Sequence, residues 1–141
     1  MKPKGIFLFV DDDQDEHELL SIAVKKLGYS NEIVSCHNGK EALDFLRSTK
    51  KDLFIILCDL NMPLINGIEL KQFIENDPDL KAKAIPFVFH SSTSSSAEIK
   101  FAYSLNIQGF FTKSMSIDGT IASLKKIVDF WTDCVHPKNL I

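Results

Sequence analysis

Side chains that could do chemistry occur at four places in the sequence, each directly after a short apolar segment. They are Asp11, Asp12 and Asp13, then Asp59, then Ser91 and Ser92, and finally Lys113. Crowded carboxylates repel one another and lose hydration when buried, so a hard divalent cation with oxygen ligands would stabilise them. A carboxylate beside Mg2+ can attack a phosphoryl group, while an ammonium and a hydroxyl bind the oxygens on which charge develops. These residue types indicate phosphoryl transfer to an aspartate, provided that the fold brings them together.

The apolar segments themselves resemble buried parallel strands. Ile6–Val10 and Leu53–Cys58 are continuous apolar runs, as expected for strands covered on both faces. Further strands are predicted at 32–36, 87–90 and 109–112. Amphipathic helical patterns separate the strands, and Asp13 with Glu16 predicts a capping box at the start of the first helix. Five strands alternating with five helices predict an α/β fold, a doubly wound parallel sheet with helices on both faces.

A sheet of this kind binds ligands beyond the carboxyl ends of its strands. The four sets of reactive side chains all follow predicted strands, so we expect them to converge at that edge. The domain is predicted to span residues 1–131, and residues 132–141 are predicted to form a loose C-terminal tail.

Composition excludes several classes of protein. With 45% hydrophobic and 25% charged residues, the 141-residue chain is typical of a soluble globular domain. Its net charge of -3, with scattered basic residues, argues against nucleic acid as a main partner. No apolar stretch approaches the ~20 residues of a membrane span, and no signal peptide is evident. The three cysteines form no C-x-x-C pair and suit a reducing environment. We expect a cytoplasmic protein that binds neither nucleic acid nor membrane.

Four motifs stand at the predicted strand ends. They are V-D-D at 10–12, C-D-L-N-M-P-L-I-N-G at 58–67, P-F-V-F-H-S-S at 86–92 and G-F-F-T-K at 109–113. Together they resemble the receiver domains of bacterial response regulators, similar to the chemotaxis regulator, over about residues 4–131. The resemblance implies a flavodoxin-like sheet of strand order 2-1-3-4-5. It also implies a stand-alone receiver of a two-component phosphorelay.

The resemblance assigns a role to each residue of the phosphoryl site. Asp59 is expected to be the phosphoacceptor, and Mg2+ the cofactor. Asp12 would bind Mg2+ directly, Asp11 mostly through water, and the backbone carbonyl of Asn61 would complete the protein ligands. Lys113 would pair with the phosphoryl group.

The resemblance also implies a conformational switch. Ser91 is expected to be the switch hydroxyl, with Ser92 as the alternate, and Phe110 stands at the switch aromatic position. Asn61 and Thr93 stand where relatives tune dephosphorylation. Ser114 replaces the usual proline after the lysine, so we expect either a trans peptide bond or local strain there.

Partners follow from the same resemblance. The phosphodonor would be a sensor histidine kinase or a histidine phosphotransfer protein, and the output a contact with a downstream protein or onward phosphotransfer. The domain would catalyse only its own phosphorylation and dephosphorylation, so it is not predicted to be an enzyme acting on other substrates.

Two alternatives remain open from the residues. Asp11 and Asp13 fit the D-x-D spacing of haloacid-dehalogenase-like phosphatases, although the chain has no room for a cap domain. In that case phosphate would be trapped on Asp11 rather than on Asp59. The second alternative is a pseudo-receiver, an interaction module that never takes phosphate. The intact Asp, Ser and Lys set argues against it, whereas the Ser114 departure is compatible with it.

Overall fold

The strands form one parallel sheet in the computed structural model, which describes residues 3–92 and 95–139. They are β1 Ile6–Val10, β2 Ile33–Cys36, β3 Leu53–Cys58, β4 Phe87–Ser91 and β5 Gly109–Thr112. Their order across the sheet is β2-β1-β3-β4-β5, and every neighbouring pair is parallel. The predicted fold class and strand order are therefore confirmed.

Six α-helices surround the sheet in the described part of the chain. They are α1 Gln14–Lys26, α2 Gly39–Ser48, α3 Gly67–Asn76, α4 Pro78–Ala82, α5 Ser96–Ser104 and α6 Ile117–Asp133. The short helix α4 was not among the five predicted. Asp77 ends α3 as expected, but its carboxylate also accepts hydrogen bonds from the backbone of Asp79 and Leu80, at 3.0 and 3.3 Å. Pro78 suits the first helical position, where no backbone N–H is needed, so a second helix begins at once.

The hydrophobic core has two layers because side chains alternate between the faces of each strand. On one face, Leu8, Ile56, Phe87 and Phe89 pack with buried residues of α2, α3 and α5. On the other, Phe7, Phe9, Ile55, Leu57 and Val88 pack with α1 and α6. Strands β1, β3 and β4 are buried throughout, which agrees with their apolar sequences. Among the described helices, none is long and apolar enough to cross a lipid bilayer.

The start of α1 differs from the predicted capping box. Asp13 is the N-cap, and its carboxylate accepts from the backbone N–H of Asp15 at 2.9 Å. The Glu16 side chain does not return to the cap; it is buried, with 6% of the residue exposed. The expectation of a capping box is corrected, because position 16 lies on the face of α1 that points into the protein.

The C-terminal segment differs from the loose tail that we predicted. Helix α6 continues to Asp133, and a 3-10 helix spans Pro137–Asn139. Between them, His136 is only 3% exposed, and its Nε2 donates to the carbonyl oxygen of Phe54 at 2.6 Å. The imidazole also stacks on the Phe54 ring, with centroids 5.0 Å apart. The expectation of a loose tail is corrected for residues 132–139, because His136 anchors this segment to Phe54 near the start of β3.

Candidate functional site

Three carboxylates meet at the carboxyl-terminal edge of the sheet. Asp11 directly follows β1, and Asp59 directly follows β3. Val10 and Cys58 are paired across these two strands, so the residues that follow them, Asp11 and Asp59, lie side by side. Ligand oxygens of Asp11, Asp12 and Asp59 lie within 4.8 Å of one another. The fold thus brings together the three side chains predicted to bind metal, of which Asp12 alone is exposed.

The Lys113 ammonium lies against two of these carboxylates. Its Nζ is 2.8 Å from Oδ2 of Asp11 and 3.4 Å from Oδ2 of Asp59. Strand β5 places it there, because Thr112 pairs with Ser91 and the Lys113 N–H donates to the Ser91 carbonyl at 2.9 Å. Burial alone would lower the pKa of Lys113, but the hydrogen bond and charge of Asp11, with the charge of Asp59, raise it. Lys113 is therefore a charged counter-ion to the buried aspartates.

The ionisation of Asp59 is opposed by its surroundings. Burial raises the pKa of Asp59, and the charge of Asp11 raises it further. The charge of Lys113 lowers this pKa, as do hydrogen bonds from the Leu60 N–H and the Ser91 side chain. Together they do not cancel the rise. The Leu60 N–H donates to Oδ1 of Asp59 at 2.8 Å and orients the carboxyl group. Three carboxylates face one ammonium, and an all-oxygen donor set of this kind fits a hard divalent cation.

The two candidate switch hydroxyls have different environments. Ser91 is the buried last residue of β4, and its side chain hydrogen-bonds to Asp59, whereas Ser92 is exposed. The structure therefore favours Ser91. Asn61 is exposed in the loop after β3, and a ligand role for its carbonyl stays a prediction. Thr93 lies outside the described residues.

A family model describing the response regulator receiver domain matches residues 7–125, which span the whole cluster from Asp11 to Lys113. This chain belongs to the response regulator receiver family. The resemblance predicted from the four motifs is confirmed. The receiver is thus a signalling domain of the two-component type, and its acidic cluster is consistent with magnesium binding.

Several known proteins are similar to this receiver over nearly its whole length. Response regulator Rcp1 of Synechocystis sp. is 27% identical over 140 residues, which cover 94% of the receiver and 92% of Rcp1. The probable methanogenesis regulatory protein FilR2 of Methanothrix harundinacea is 28% identical over 130 residues, covering 89% and 83% of the two chains. Among solved structures, the phosphorylated cyanobacterial phytochrome response regulator RcpA matches with a TM-score of 0.79 and 31% identity, covering 94% of the receiver and 96% of that chain. The Mn2+-bound form of Rcp1 also gives a TM-score of 0.79, with 26% identity and 93% and 96% coverage.

Phe110 of the receiver is half-buried and packs on the aromatic core. Its ring centroid is 5.8 Å from that of Phe89, which lies 5.2 Å from that of Phe87. These three rings form an aromatic row beneath the site. Because Phe110 has no hydroxyl, any movement at this position is transmitted through packing alone.

The Ser114 departure does not displace the lysine of the receiver. All peptide bonds in the described residues are trans, including Lys113–Ser114, in agreement with one of the two outcomes expected. The Ser114 hydroxyl accepts from the backbone N–H of Ser116 at 3.2 Å, just before α6. The Lys113 ammonium still reaches both Asp11 and Asp59.

Two residues near the site, Glu16 and His17, have positions that the sequence did not predict. Glu16 is buried, and its Oε1 has no hydrogen-bond partner among the described residues. Burial raises the pKa of Glu16, as does the charge of Asp11, while Lys113 lowers it. His17 is also buried and donates from Nε2 to the Asp11 carbonyl at 2.8 Å. The signal was available, since positions 16 and 17 precede the apolar stripe residue Leu20 by four and three residues.

His90 is buried and directly precedes Ser91. Burial, followed by the charge of Lys113, lowers the pKa of His90 to about 4. The imidazole is therefore neutral at neutral pH. It adds no positive charge that would compete with Lys113 for the aspartates.

Proposed function

We propose that this receiver accepts a phosphoryl group on Asp59 in a Mg2+-dependent reaction and signals through Ser91 and Phe110. The observation that carries the proposal is the meeting of carboxylates from two strand ends around one ammonium. Lys113 contacts both Asp11 and Asp59, which are 48 positions apart in sequence. A purely structural ion pair with Lys113 would need only one carboxylate. The additional carboxylates therefore favour a cation-binding site.

The residues present fit a magnesium ion. Asp11, Asp12 and Asp59 supply carboxylate oxygens, and the backbone carbonyl of Asn61 is proposed as a further ligand. Mg2+ bound there would neutralise the carboxylates and bind an oxygen of the incoming phosphoryl group. The metal of the Mn2+-bound Rcp1 structure, a divalent ion with similar ligand preferences, supports this choice.

The transfer itself would use the side chains of this chain. A carboxylate oxygen of Asp59, oriented by the Leu60 N–H, forms a bond to phosphorus as the phosphorus–nitrogen bond of a donor phosphohistidine breaks. The imidazole of the donor is the leaving group. The Lys113 ammonium then pairs with a phosphoryl oxygen, and the Ser91 hydroxyl donates to another.

The same groups would convert phosphorylation into a change of shape. Ser91 already lies beside Asp59, so a new oxygen there would draw its hydroxyl towards the phosphoryl group. Phe110 packs against Phe89 on the strand that carries Ser91, and a shift of β4 would alter that contact.

Partners and setting form part of the proposal. The donor is a sensor histidine kinase or a histidine phosphotransfer protein, and the output is a contact with another protein or onward phosphotransfer. The net charge of -3 supports a protein partner over a nucleic acid. Three free cysteines support a cytoplasmic location. A stand-alone role is supported by similarity to Rcp1 over most of its length.

The test is phosphorylation of the purified chain by acetyl phosphate, followed by mass spectrometry. We expect one phosphoryl group per chain with Mg2+ and none with a chelator. Asp59→Asn should abolish labelling. Asp13→Asn is the matched control, because Asn caps a helix as well as Asp does and the site should react normally. Full labelling of Asp59→Asn, or a phosphoryl group on Asp11, would contradict the proposal, and the second result would support the phosphatase alternative.

A further inference from the structure

A cavity of about 210 Å3 opens at the amino-terminal edge of the sheet, between α3, α4 and the start of β4. We call it the Lys71 cavity. Its apolar wall consists of Leu46, Ile56, Ile74, Leu80, Ile85 and Phe87. Phe87 is the first residue of β4, whereas Ser91 at the phosphoryl site is the last. The cavity is therefore separate from the aspartate cluster.

A buried ammonium lines this cavity. Lys71 is 5% exposed, its Nζ is 2.9 Å from Oε1 of Glu75, and it lies 5.3 Å from the centroid of the Phe87 ring. Burying a charge is costly unless it is well paired. An ammonium has three donors, and Glu75 is its one carboxylate partner in the described part of the chain. Lys71 therefore keeps donor capacity for a ligand in the cavity.

The charges that line the cavity do not cancel. Lys81 is the second ammonium, with Nζ 3.7 Å from Oε2 of Glu75. Burial opposes ionisation of Glu75, but Lys71 and Lys81 outweigh it and lower the pKa of this carboxyl group. Glu75 is thus ionised at neutral pH. Two ammonium groups and one carboxylate line the cavity, so one positive charge is unbalanced beside the apolar space. Solvent screens part of this charge, because the Lys81 side chain is 62% exposed.

We propose that the Lys71 cavity binds a small monocarboxylate with an aromatic or compact apolar body. The carboxylate lies at the Lys71 and Lys81 end, and the apolar body lies between Ile74, Leu80 and Phe87. A dry cavity of about 150 Å3 can hold a benzene ring, so about 210 Å3 admits one ring and a short acidic arm. A neutral ligand would leave the positive charge unpaired, and a cation would be repelled by it. A doubly charged anion would bring one more negative charge than the cavity balances.

The first test compares three probes of similar shape on the full chain, followed by amide NMR and calorimetry. Phenylacetate should bind, with shift changes concentrated at Lys71, Ile74, Phe87 and Gln108. Phenylacetamide should bind about tenfold more weakly, because a charge-assisted hydrogen bond is replaced by a neutral one. Benzylamine should not bind. Equal binding of phenylacetate and phenylacetamide, or shifts centred on Asp59, would overturn the proposal.

The second test uses variants with opposite expected effects. Lys71→Met should weaken phenylacetate binding about tenfold or more. Glu75→Gln should strengthen binding several-fold, since it removes the carboxylate that competes for Lys71. If Lys71→Met fails to fold, phenylacetate binding by Glu75→Gln still tests the proposal. Lys125→Met, in an exposed pair with Asp129 on α6, is the matched control and should change nothing. Unchanged or weaker binding by Glu75→Gln would refute the assignment.

Discussion

Lys113 and a divalent cation both bind oxygen atoms of the Asp11 and Asp59 carboxylates. The ammonium contacts Asp11 at 2.8 Å, and Asp11 is also a proposed metal ligand. A metal that takes an oxygen of Asp11 would therefore weaken this ion pair. The cost of doing so is included in the apparent affinity of the site for Mg2+.

Removing the ammonium separates metal binding from signalling. In Lys113→Ala we expect Mg2+ to bind at least as tightly as in the wild type, because a competitor for Asp11 is gone. The amide signals of Ser91 and Phe110 should no longer move when Asp59 is phosphorylated, because no ammonium binds the phosphoryl oxygen. Calorimetry with Mg2+ and NMR of the phosphorylated variant measure the two effects, with Lys125→Ala as control. Normal movement of both signals would count against the role of Lys113.

Glu16 adds a further negative charge close to the cluster. In Glu16→Gln we expect Mg2+ affinity to fall by a few fold, roughly the effect of one partly screened charge several ångströms away. The stability at pH 7 should rise, because burial raises the pKa of Glu16 and so disfavours its charged form in the folded state. Calorimetry and urea unfolding report the two quantities. Glu18→Gln, which alters a more outward position of α1, is the comparison. Unchanged Mg2+ affinity would show that Glu16 acts only as a buried acid.

At the scale of elements, a glycine sets the distance between α3 and Asp59, the proposed phosphoacceptor. Gly67 begins α3, and a Cβ at this position would lie 2.3 Å from the Asp59 carbonyl oxygen and 2.7 Å from Cε1 of Phe89. Neither neighbour is the end of a flexible chain. The loop between β3 and α3 can therefore fold tightly over the site only because residue 67 lacks a side chain.

Gly67→Ala should consequently disturb both stability and reactivity. We expect a loss of about 1–3 kcal/mol in the free energy of unfolding, as for other overpacked sites. Phosphorylation by acetyl phosphate should slow, because the backbone of Asp59 must shift. Gly109→Ala is the control, since its Cβ would meet side-chain atoms at ordinary distances of 3.7 Å or more. Wild-type stability and rate in Gly67→Ala would contradict this steric argument.

The sequence predicts an element accurately where the hydrophobic pattern of that element is long, and poorly where it is short. Strands β1 and β3 were predicted to the residue, because each is a continuous apolar run that ends at an acid. Helix α4 was missed, since its five residues are too few to show a helical period. Glu16 was misassigned because its spacing from Asp13 imitates a capping box, whereas packing of α1 decides where the side chain points. The cluster at Asp11, Asp59 and Lys113 followed from the rule that parallel strands end together.

For the molecule as a whole, the C-terminal segment is anchored near the start of β3, at the end of that strand away from the site. No sequence pattern predicts this arrangement, because the arrangement depends on a single histidine. His136 fills the space beside Phe54 and satisfies its carbonyl oxygen, while Trp131 packs edge-on to the imidazole at 6.2 Å. A polar ring thus replaces the apolar anchor that a sequence pattern would reveal.

His136→Ala should lower the free energy of unfolding by about 1–3 kcal/mol, because a buried carbonyl loses its donor. Burial lowers the pKa of His136 below its ordinary value, so the unfolded chain binds a proton more readily than the folded one. The contribution of the neutral ring is present above pH ~6.5 and decreases as the pH falls below it. Urea unfolding from pH 8 to pH 5 measures both effects, with exposed His37→Ala as the control. The labelling rate of Asp59 should be unchanged, and a marked loss of labelling would contradict the separation of the two ends.

The docking of His136 also determines where an attached tether would leave the molecule. Asp59 lies five positions after Phe54, or about 17 Å along the strand direction at ~3.3 Å per residue. A dye, affinity handle or sensor surface joined after residue 139 would emerge at the far side from the aspartates. The proposed phosphodonor would approach the aspartates from the opposite side, so C-terminal immobilisation is the suitable geometry for measuring its binding.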